Sequence, residues 1–177
     1  MKDALQAIKD RSSIRAYKDE PLTKEELDVI IQAGLQAPTA ANRQEVYFTV
    51  VDGKDPILAE IQAEMLKDRP DANPPHNFYY EAPTVIILSG KEEFFWSPLD
   101  AGIAVENMAI AAEATGLGNL IIGCIKDAMR GEKKAYFSEA LKIPEGYEFE
   151  VAFAVGHRAT EKAPHEYSEE KNVTYLC

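Results

Sequence analysis

The chain has 177 residues, enough for one domain with a substantial core and too few for two ordinary domains. Hydrophobic residues make up 46% of it and no low-complexity tract appears, which argues against a disordered protein. Its 30 acidic and 19 basic residues give a net charge of −11. This charge disfavours nucleic acid as a partner, because binding it depends on neutralising phosphates.

The sequence carries no signal for a membrane or for secretion. No apolar run approaches the ~20 residues that a membrane span needs, and residues 1–5 lack the apolar core of a signal peptide. Cys124 and Cys177 are the only cysteines and do not indicate a structural disulfide. The histidines, at 76, 157 and 165, show no metal-ligand spacing. We therefore expect a soluble, cytoplasmic protein with no metal site and no membrane partner.

Helix and strand signals alternate through the first half of the chain. Thr23 and Glu26 match a capping box, and apolar residues at helical spacing follow them until the helix stops before Pro38. The predicted elements of this half are a helix at 3–11, the capped helix, a strand at 46–51 and a helix from Ile57 to about Lys67.

The second half opens with a long irregular connection over residues 69–83. Ser97 is predicted as the N-cap of the longest helix, with Pro98 at its first position. This helix is nearly apolar all round over 99–114, so a second subunit would most easily bury it. The other predicted elements are strands at 84–88, 119–122 and 148–155, a helix around 131–141 and a polar tail at 156–177. Together they predict one α+β domain over 1–177, with a central sheet between helical layers.

Two short segments carry the candidate chemistry. Arg11, Ser13 and Arg15 follow one another at every second position, so in an extended segment all three point to one side. Two guanidinium groups around a hydroxyl can hold a phosphate or an electron-rich carbonyl edge, although a solvated basic helix end has the same composition. The second segment, residues 37–44, is dense in small and hydrogen-bonding side chains between a helix and a strand, which is typical of a ligand-contacting loop.

Arg-x-Ser-x-Arg followed by Ala37-Pro38-Thr39-x-x-Asn42-x-Gln44 resembles the nitroreductase family of flavin enzymes. The resemblance implies the nitroreductase-like α+β fold, with a central, mostly antiparallel sheet flanked by helices. It also implies a homodimer with shared active sites, in which each FMN is held by one subunit and contacted by the other. The residues implied to hold FMN in one subunit are Arg11, Ser12, Ser13 and Arg15. Those implied to reach the FMN of the partner are Pro38, Thr39, Ala40, Asn42 and Gln44.

A third stretch, Ala114 to Gly123, also resembles the family. The resemblance implies that the strand after its glycines supplies backbone contacts near the reactive N5 of the flavin, at Leu120, Ile121, Ile122 and Gly123. The glycines do not match a dinucleotide-binding fingerprint, because they follow a helix and open a strand. The stretches 78–83 and 100–104 resemble the family too, and we expect both to be architectural.

The tail departs from the family pattern. Many relatives carry a basic pair shortly after the last strand, where it grips the FMN phosphate. Here Lys162 and His165 could take that role, with Arg158 as a substitute, although solvated surface charges would look the same.

The resemblance implies an FMN-dependent NAD(P)H oxidoreductase. It would reduce nitroaromatics, quinones or similar conjugated small molecules by ping-pong hydride transfer. No catalytic side chain is predicted, because the flavin N5 carries the chemistry. Two alternatives remain open: a flavin-binding storage or sensor protein without NAD(P)H turnover, and a specialised family member such as a dehalogenase. A dehalogenase would need a lid over its substrate, and residues 69–83 and Lys91–Trp96 could contribute to one.

Overall fold

A computed structural model describes residues 1–68, 71 and 74–176 of the chain. Helices and strands alternate along it, as the sequence predicts. The helices are α1 (Ala4–Asp10), α2 (Lys24–Leu35), α3 (Pro56–Leu66), α4 (Ser97–Thr115), α5 (Lys126–Arg130), α6 (Lys134–Ala140) and α7 (Glu169–Asn172), with a short 3₁₀ turn at Ala40–Asn42. The strands are β1 (Tyr47–Asp52), β2 (Thr84–Lys91), β3 (Leu117–Ile122) and β4 (Tyr147–His157).

The four strands form one sheet in the order β1-β2-β4-β3, and every neighbouring pair is antiparallel. β2 and β4 are therefore central, while β1 and β3 are the edges. The continuously apolar run at the start of β2 predicts a strand covered on both faces, and residues 84–90 are all buried. The predicted α+β fold with an antiparallel sheet is confirmed.

The two faces of the sheet belong to two hydrophobic clusters. Val85 and Ile87 pack on one face with α3, α5 and α6, whereas Ile86 and Leu88 pack on the other with α2 and α4. This alternation follows from the two-residue period of a strand. Burying one such side chain stabilises the fold by roughly 1.5–3 kcal/mol. These side chains of β2 therefore help to hold both helical layers against the sheet.

The capping box is confirmed, since Thr23 Oγ1 accepts from the Glu26 backbone N–H at 3.2 Å and Glu26 accepts from Thr23 at 2.8 Å. The predicted N-cap of α4 is wrong. Trp96 is the capping residue, and Ser97 lies inside the helix, where its hydroxyl donates to the Lys91 carbonyl at 2.8 Å. The segment leading into α4 turns so tightly that this carbonyl, rather than the helix N-terminus, is within reach of the hydroxyl.

Other boundaries differ by a few residues. The predicted helix at 131–141 corresponds to α6, and the separate helix α5 before Gly131 was not predicted. β3 and β4 are each longer than predicted. Part of the predicted connection at 69–83, and Cys177, lie outside the described residues. Within the described ranges, no helix combines the length and apolarity that crossing a membrane requires.

Candidate active site

The first predicted motif lies on an extended segment, residues 11–18, which we call the edge segment because it runs along the outer side of β3. Ser13 pairs with Asn119 in a parallel bridge, and the Ile14 backbone N–H donates to the Asn119 carbonyl at 2.8 Å. Further along, Tyr17 pairs with Arg158 in an antiparallel bridge. The edge segment is thus fixed by backbone contacts to two strands of the sheet.

Side chains of the edge segment alternate between the core and the surface. Ser12 and Ile14 are 4% and 1% exposed, whereas Arg11 and Ser13 are partly exposed and Arg15 is exposed. The three residues of the motif therefore occupy the outward positions of an extended chain. The alternative of a solvated basic helix end applies to Arg11 alone, which is the C-cap of α1, because Ser13 and Arg15 lie beyond the helix.

Two glycines let the edge segment approach the sheet. A Cβ on Gly118 would lie 2.9 Å from Ile14 Cγ2, and one on Gly156 would lie 3.2 Å from Tyr17 Cδ1 as well as 2.5 Å from Pro83 Cδ. These glycines face each other in the β3–β4 register. A side chain at either position would require its neighbours to move.

The backbone of β3 continues the same edge beyond the Ser13 bridge. In an antiparallel pair, alternate residues point their backbone groups away from the partner strand, and the Asn119 carbonyl does so towards Ile14. Ile121, two residues later, has the same orientation. The side chains of Leu120 and Ile122 are buried and that of Ile121 is partly so. The predicted stretch 120–123 therefore offers backbone groups at the edge, next to the outward side chains of the edge segment.

Both arginines of the motif have neighbours that steady them. Arg11 Nε lies 3.5 Å from Glu106 Oε1 on α4. The Arg15 guanidinium lies over the Tyr80 ring, 5.7 Å from its centroid, within the range of a cation–π contact. Tyr80 and Glu81 both have left-handed backbones, with φ of 55° and 54°. Such strain is uncommon outside glycine and clusters at functional sites.

Of the predicted tail residues, Lys162 lies beside the edge segment. The Ser12 hydroxyl donates to the Lys162 carbonyl at 2.9 Å, which fixes the start of the tail there. The side chains of Lys162 and His165 are exposed. The buried Ser12 side chain thus holds the tail in place, instead of facing outward with Ser13.

Arg158, the predicted substitute for the phosphate contact, points to the C-terminal end of α4. Its guanidinium donates to Glu113 Oε2 and to the Leu117 carbonyl, each at 2.8 Å. Burial alone would raise the pKa of Glu113, but hydrogen bonds from Lys2 and Arg158 outweigh burial and hold that pKa below its usual value. Arg158 is therefore engaged in an internal ion pair.

The second predicted motif forms a separate, exposed loop, residues 37–44. The Ala40 backbone N–H donates to Asp100 Oδ1 at 2.9 Å, and Gln44 donates through its backbone to Thr39 Oγ1 at 2.9 Å. The backbone is left-handed at Ala41, Asn42 and Gln44, with φ between 53° and 55°. At roughly 1–3 kcal/mol per residue, this strain requires a reason, and a ligand-contacting role supplies one.

Arg43, in the same loop, stacks over the Phe94 ring, 4.3 Å from its centroid, and pairs with Glu45. The loop is therefore tied to the segment that leads into α4.

The edge segment and the 37–44 loop do not meet within one chain. Among the described residues, no hydrogen bond or ion pair joins them. Their anchors on α4, Asp100 for the loop and Glu106 for Arg11, are six residues apart, or about 9 Å along the helix axis. The structure thus places Arg11, Ser13 and Arg15 on one segment, which pairs with Asn119 directly before the 120–123 backbone and contacts the Lys162 carbonyl through Ser12. It leaves Pro38, Thr39, Ala40, Asn42 and Gln44 at a different place.

Two cavities lie near the tail and near the end of the edge segment. A cavity of about 540 Å³ lies along the tail, and one of about 420 Å³ lies between Tyr17 and Pro83. Arg11 and Arg15 line neither cavity. In the described chain, no three His, Cys, Asp or Glu side chains converge as a metal site would require.

Sequence reasoning missed several residues that shape the site. Glu113 and Asn119 are buried polar residues of an otherwise apolar environment, and Tyr80 lies in a loop without periodicity. Asp100, expected to be architectural, anchors the 37–44 loop. The one signal available beforehand was the presence of acidic residues in a helix that is otherwise nearly apolar.

Known proteins resemble this chain in both sequence and fold. The model of the nitroreductase family matches residues 8–157, most of the chain. The chain belongs to the nitroreductase family. It is 30% identical to the FMN reductase [NAD(P)H] of Bacillus subtilis over 92% of this chain and 69% of that protein. This membership confirms the predicted family and, with it, the class of flavin-dependent oxidoreductases.

Solved structures of other proteins have the same fold. A nitroreductase with bound FMN from Desulfitobacterium hafniense superposes with a TM-score of 0.87, at 29% identity and with 99% of each chain covered. A second, from Bacteroides fragilis, superposes with a TM-score of 0.88 at 24% identity, covering 99% of this chain and 100% of the other, and supports the fold.

The residues of the edge segment fit FMN. The cofactor carries a phosphate group and a planar ring system with a polar pyrimidine edge. Arg11 and Arg15 supply charge-assisted donors, Ser13 supplies a hydroxyl, and the β3 edge supplies backbone groups alongside them. This set can satisfy both an anionic group and a carbonyl edge.

Proposed function

We propose that the chain is an FMN-dependent NAD(P)H oxidoreductase that reduces small conjugated acceptors such as nitroaromatics or quinones. Family membership supports the class, and the outward row of Arg11, Ser13 and Arg15 beside the β3 edge is the observation that carries the cofactor assignment. When bound, FMN accepts a hydride from NAD(P)H and passes the electrons to the acceptor.

The edge segment holds the cofactor and prepares its reduction. Arg11 and Arg15 would hold the phosphate and the pyrimidine edge, and Ser13 would donate its hydroxyl. A guanidinium already fixed near that edge would stabilise negative charge there without reorganising. The contacts of Arg11 with Glu106 and of Arg15 with Tyr80 limit their side-chain motion beforehand.

The β3 edge orients the reactive part of the ring. The outward backbone groups of Ile121, two residues beyond the Asn119 bridge, and of the neighbouring residues up to Gly123 would serve as hydrogen-bonding partners close to N5. Leu120 and Ile122 support them from the core, where both are buried. The role of these four residues is thus carried by the main chain.

In the tail, Lys162 is the first candidate for the phosphate and His165 the second. The Ser12 hydrogen bond places the Lys162 backbone beside the edge segment, and the ammonium group is free to reach outward. Arg158 contributes indirectly, because its guanidinium is engaged by Glu113.

We further propose a homodimer in which the 37–44 loop completes the site of the second copy. Leu99 is 52% exposed, Gly102 is exposed and Ile103 is partly exposed along one face of α4. A Cβ on Gly102 would meet no atom within 4 Å, so this face is smooth and accessible. A second α4 packed there would bury these groups. Pro38, Thr39, Ala40, Asn42 and Gln44 would then reach the FMN of the other chain.

The single site serves both substrates in turn, by a ping-pong sequence. We propose that NAD(P)H leaves before the acceptor enters, because both would have to contact the same bound cofactor. The protein acts in the cytoplasm, where NAD(P)H is available.

The first experiment is the visible absorption spectrum of the purified protein, followed by anaerobic titration with NADH and NADPH. We expect a flavin band that either nucleotide bleaches and that an added quinone restores. A flavin band that neither nucleotide bleaches would favour a storage or sensor protein. A colourless protein that takes up no added FMN would overturn the proposal.

A further inference from the structure

Glu113 is a buried carboxylate outside the proposed cofactor contacts. It lies near the end of α4, its side chain is 1% exposed, and it accepts from two cations at once. Lys2 Nζ lies 2.6 Å from Oε1, and Arg158 Nη2 lies 2.8 Å from Oε2. A carboxylate so deeply buried is tolerated only because both of its oxygens are paired with charge.

The two cations connect Glu113 to opposite ends of the edge segment. Lys2 also pairs with Asp10, the residue directly before Arg11, at 2.8 Å. Arg158 forms the backbone bridge with Tyr17, near the other end.

The backbone around that bridge adds two further links. Lys18 donates to the His157 carbonyl at 2.8 Å, and Ala159 donates to the Ala16 carbonyl at 3.0 Å. Both ends of the edge segment are therefore connected, through one cation each, to the same carboxylate.

We propose that Glu113 is a positioning residue for the flavin site, which sets the edge segment in place without touching FMN. The inference rests on the proposed function, since it assumes that Arg11, Ser13 and Arg15 hold the cofactor. Removing the charge of Glu113 leaves two cations without their shared partner. Lys2 and Arg158 are then held less firmly, so the contacts of the edge segment at Asp10 and Tyr17 weaken and its outward side chains are ordered in fewer molecules.

The chain contains a matched control. Glu64 also receives two cations, Lys67 at 2.7 Å and Lys133 at 2.9 Å, and its side chain is 7% exposed. These three residues connect α3 to the start of α6, and none of them contacts the edge segment. Glu64→Gln thus removes a comparable ion triad from a part of the fold that does not carry the site.

The test compares Glu113→Gln with Glu64→Gln in the full-length holoprotein. The apparent Kd for FMN is measured from flavin fluorescence on dilution, and hydrogen exchange is followed at the amides of Ile14 and Lys18. If only a tenth of the molecules keep the edge segment ordered, the apparent Kd rises about tenfold. We expect this rise, together with faster exchange at the two amides, in Glu113→Gln alone.

Several outcomes would contradict the positioning role. An unchanged Kd in Glu113→Gln, or an equal rise in Glu64→Gln, would overturn the positioning role. Faster hydrogen exchange throughout the central strands in Glu113→Gln would show that Glu113 stabilises the fold in general and does not specifically position the edge segment. If Glu113→Gln does not fold, Lys2→Met breaks one tie at a half-exposed side chain, and it must then raise the Kd and expose the Ile14 amide. Failure of the wild-type protein to bind FMN would instead count against the proposed function.

Discussion

The edge segment and the 37–44 loop are both implied to contact FMN, yet they are held in opposite ways. The edge segment is bridged to β3 and to Arg158, directly after β4, and has its inward side chains in the core. The loop is exposed, carries three left-handed residues and is anchored to α4 through one backbone hydrogen bond to Asp100. The difference indicates a division of roles. The edge segment is fixed by its own chain, whereas the 37–44 loop has a shape suited to contacting a molecule outside its own chain.

The largest effect is expected from Gly118→Val, which forces the edge segment away from β3. The added branches collide with Ile14, and overpacking of this kind lowers the free energy of unfolding by about 1–3 kcal/mol. We expect flavin loss and lower stability together, measured by FMN fluorescence and thermal unfolding. Gly118→Ala adds only the Cβ, so it should fall between the wild type and Val; equal behaviour of all three would show that the close approach is unimportant.

Next in size is Arg15→Ala, which removes one charge-assisted donor and leaves the backbone of the edge segment intact. A loss of about 1.5–3 kcal/mol corresponds to FMN binding about tenfold to hundredfold weaker. Arg15→Lys keeps the charge but not the planar fork, and should recover part of the affinity. An affinity unchanged in Arg15→Ala would remove this residue from the site.

Mixing two defective chains tests whether the sites are shared. A chain with Arg15→Ala has a defective edge segment, and one with Asn42→Ala has a defective loop. In a shared-site dimer, a mixed pair contains one site with an intact edge segment and an intact loop. We expect reductase activity to reappear on mixing after subunit exchange. No recovery, with exchange verified by mass, would place each complete site within one chain.

A smaller effect is expected from Asp100→Ala, which releases the 37–44 loop from α4. The Ala40 N–H loses its acceptor, worth about 1 kcal/mol, so activity should fall about fivefold with little change in FMN retention. Asp100→Asn keeps an acceptor oxygen and should behave nearly as the wild type. Equal loss in both variants would mean that the charge matters, and not the anchor.

The smallest effect is expected from Lys162→Ala, because its side chain is exposed. A screened surface contact contributes about 0.2–1 kcal/mol, so FMN affinity should fall less than about fivefold and the difference should vanish in high salt. A salt-independent loss would point to a more buried contact. No loss at all would leave Lys162 as an ordinary surface charge.

The parts that sequence predicted are those governed by local period. The apolar run at the start of β2 indicated a strand buried on both faces, and the spacing of Arg11, Ser13 and Arg15 indicated one outward row. Both follow from the alternation of side chains along an extended chain. The capping box at Thr23 was equally local and equally correct.

The parts that sequence did not predict depend on residues far apart in the chain. Arg158 was a candidate phosphate ligand because it is a basic residue shortly after the last strand, whereas the fold brings Glu113 to it from 45 positions away. Tyr80 reaches Arg15 through a left-handed backbone that no periodicity signals. Ser97 resembled an N-cap until the turn before α4 offered its hydroxyl another acceptor.

The position of β3 at the rim of the sheet has a consequence for association. An unpaired rim strand is a template on which another chain can add by main-chain pairing, and natural proteins cover such strands. The edge segment covers β3 at Asn119, so the residues proposed to bind the cofactor also shield the sheet. A variant in which the edge segment detaches from β3 should therefore precipitate as well as lose bound FMN. FMN added during purification should reduce its precipitation.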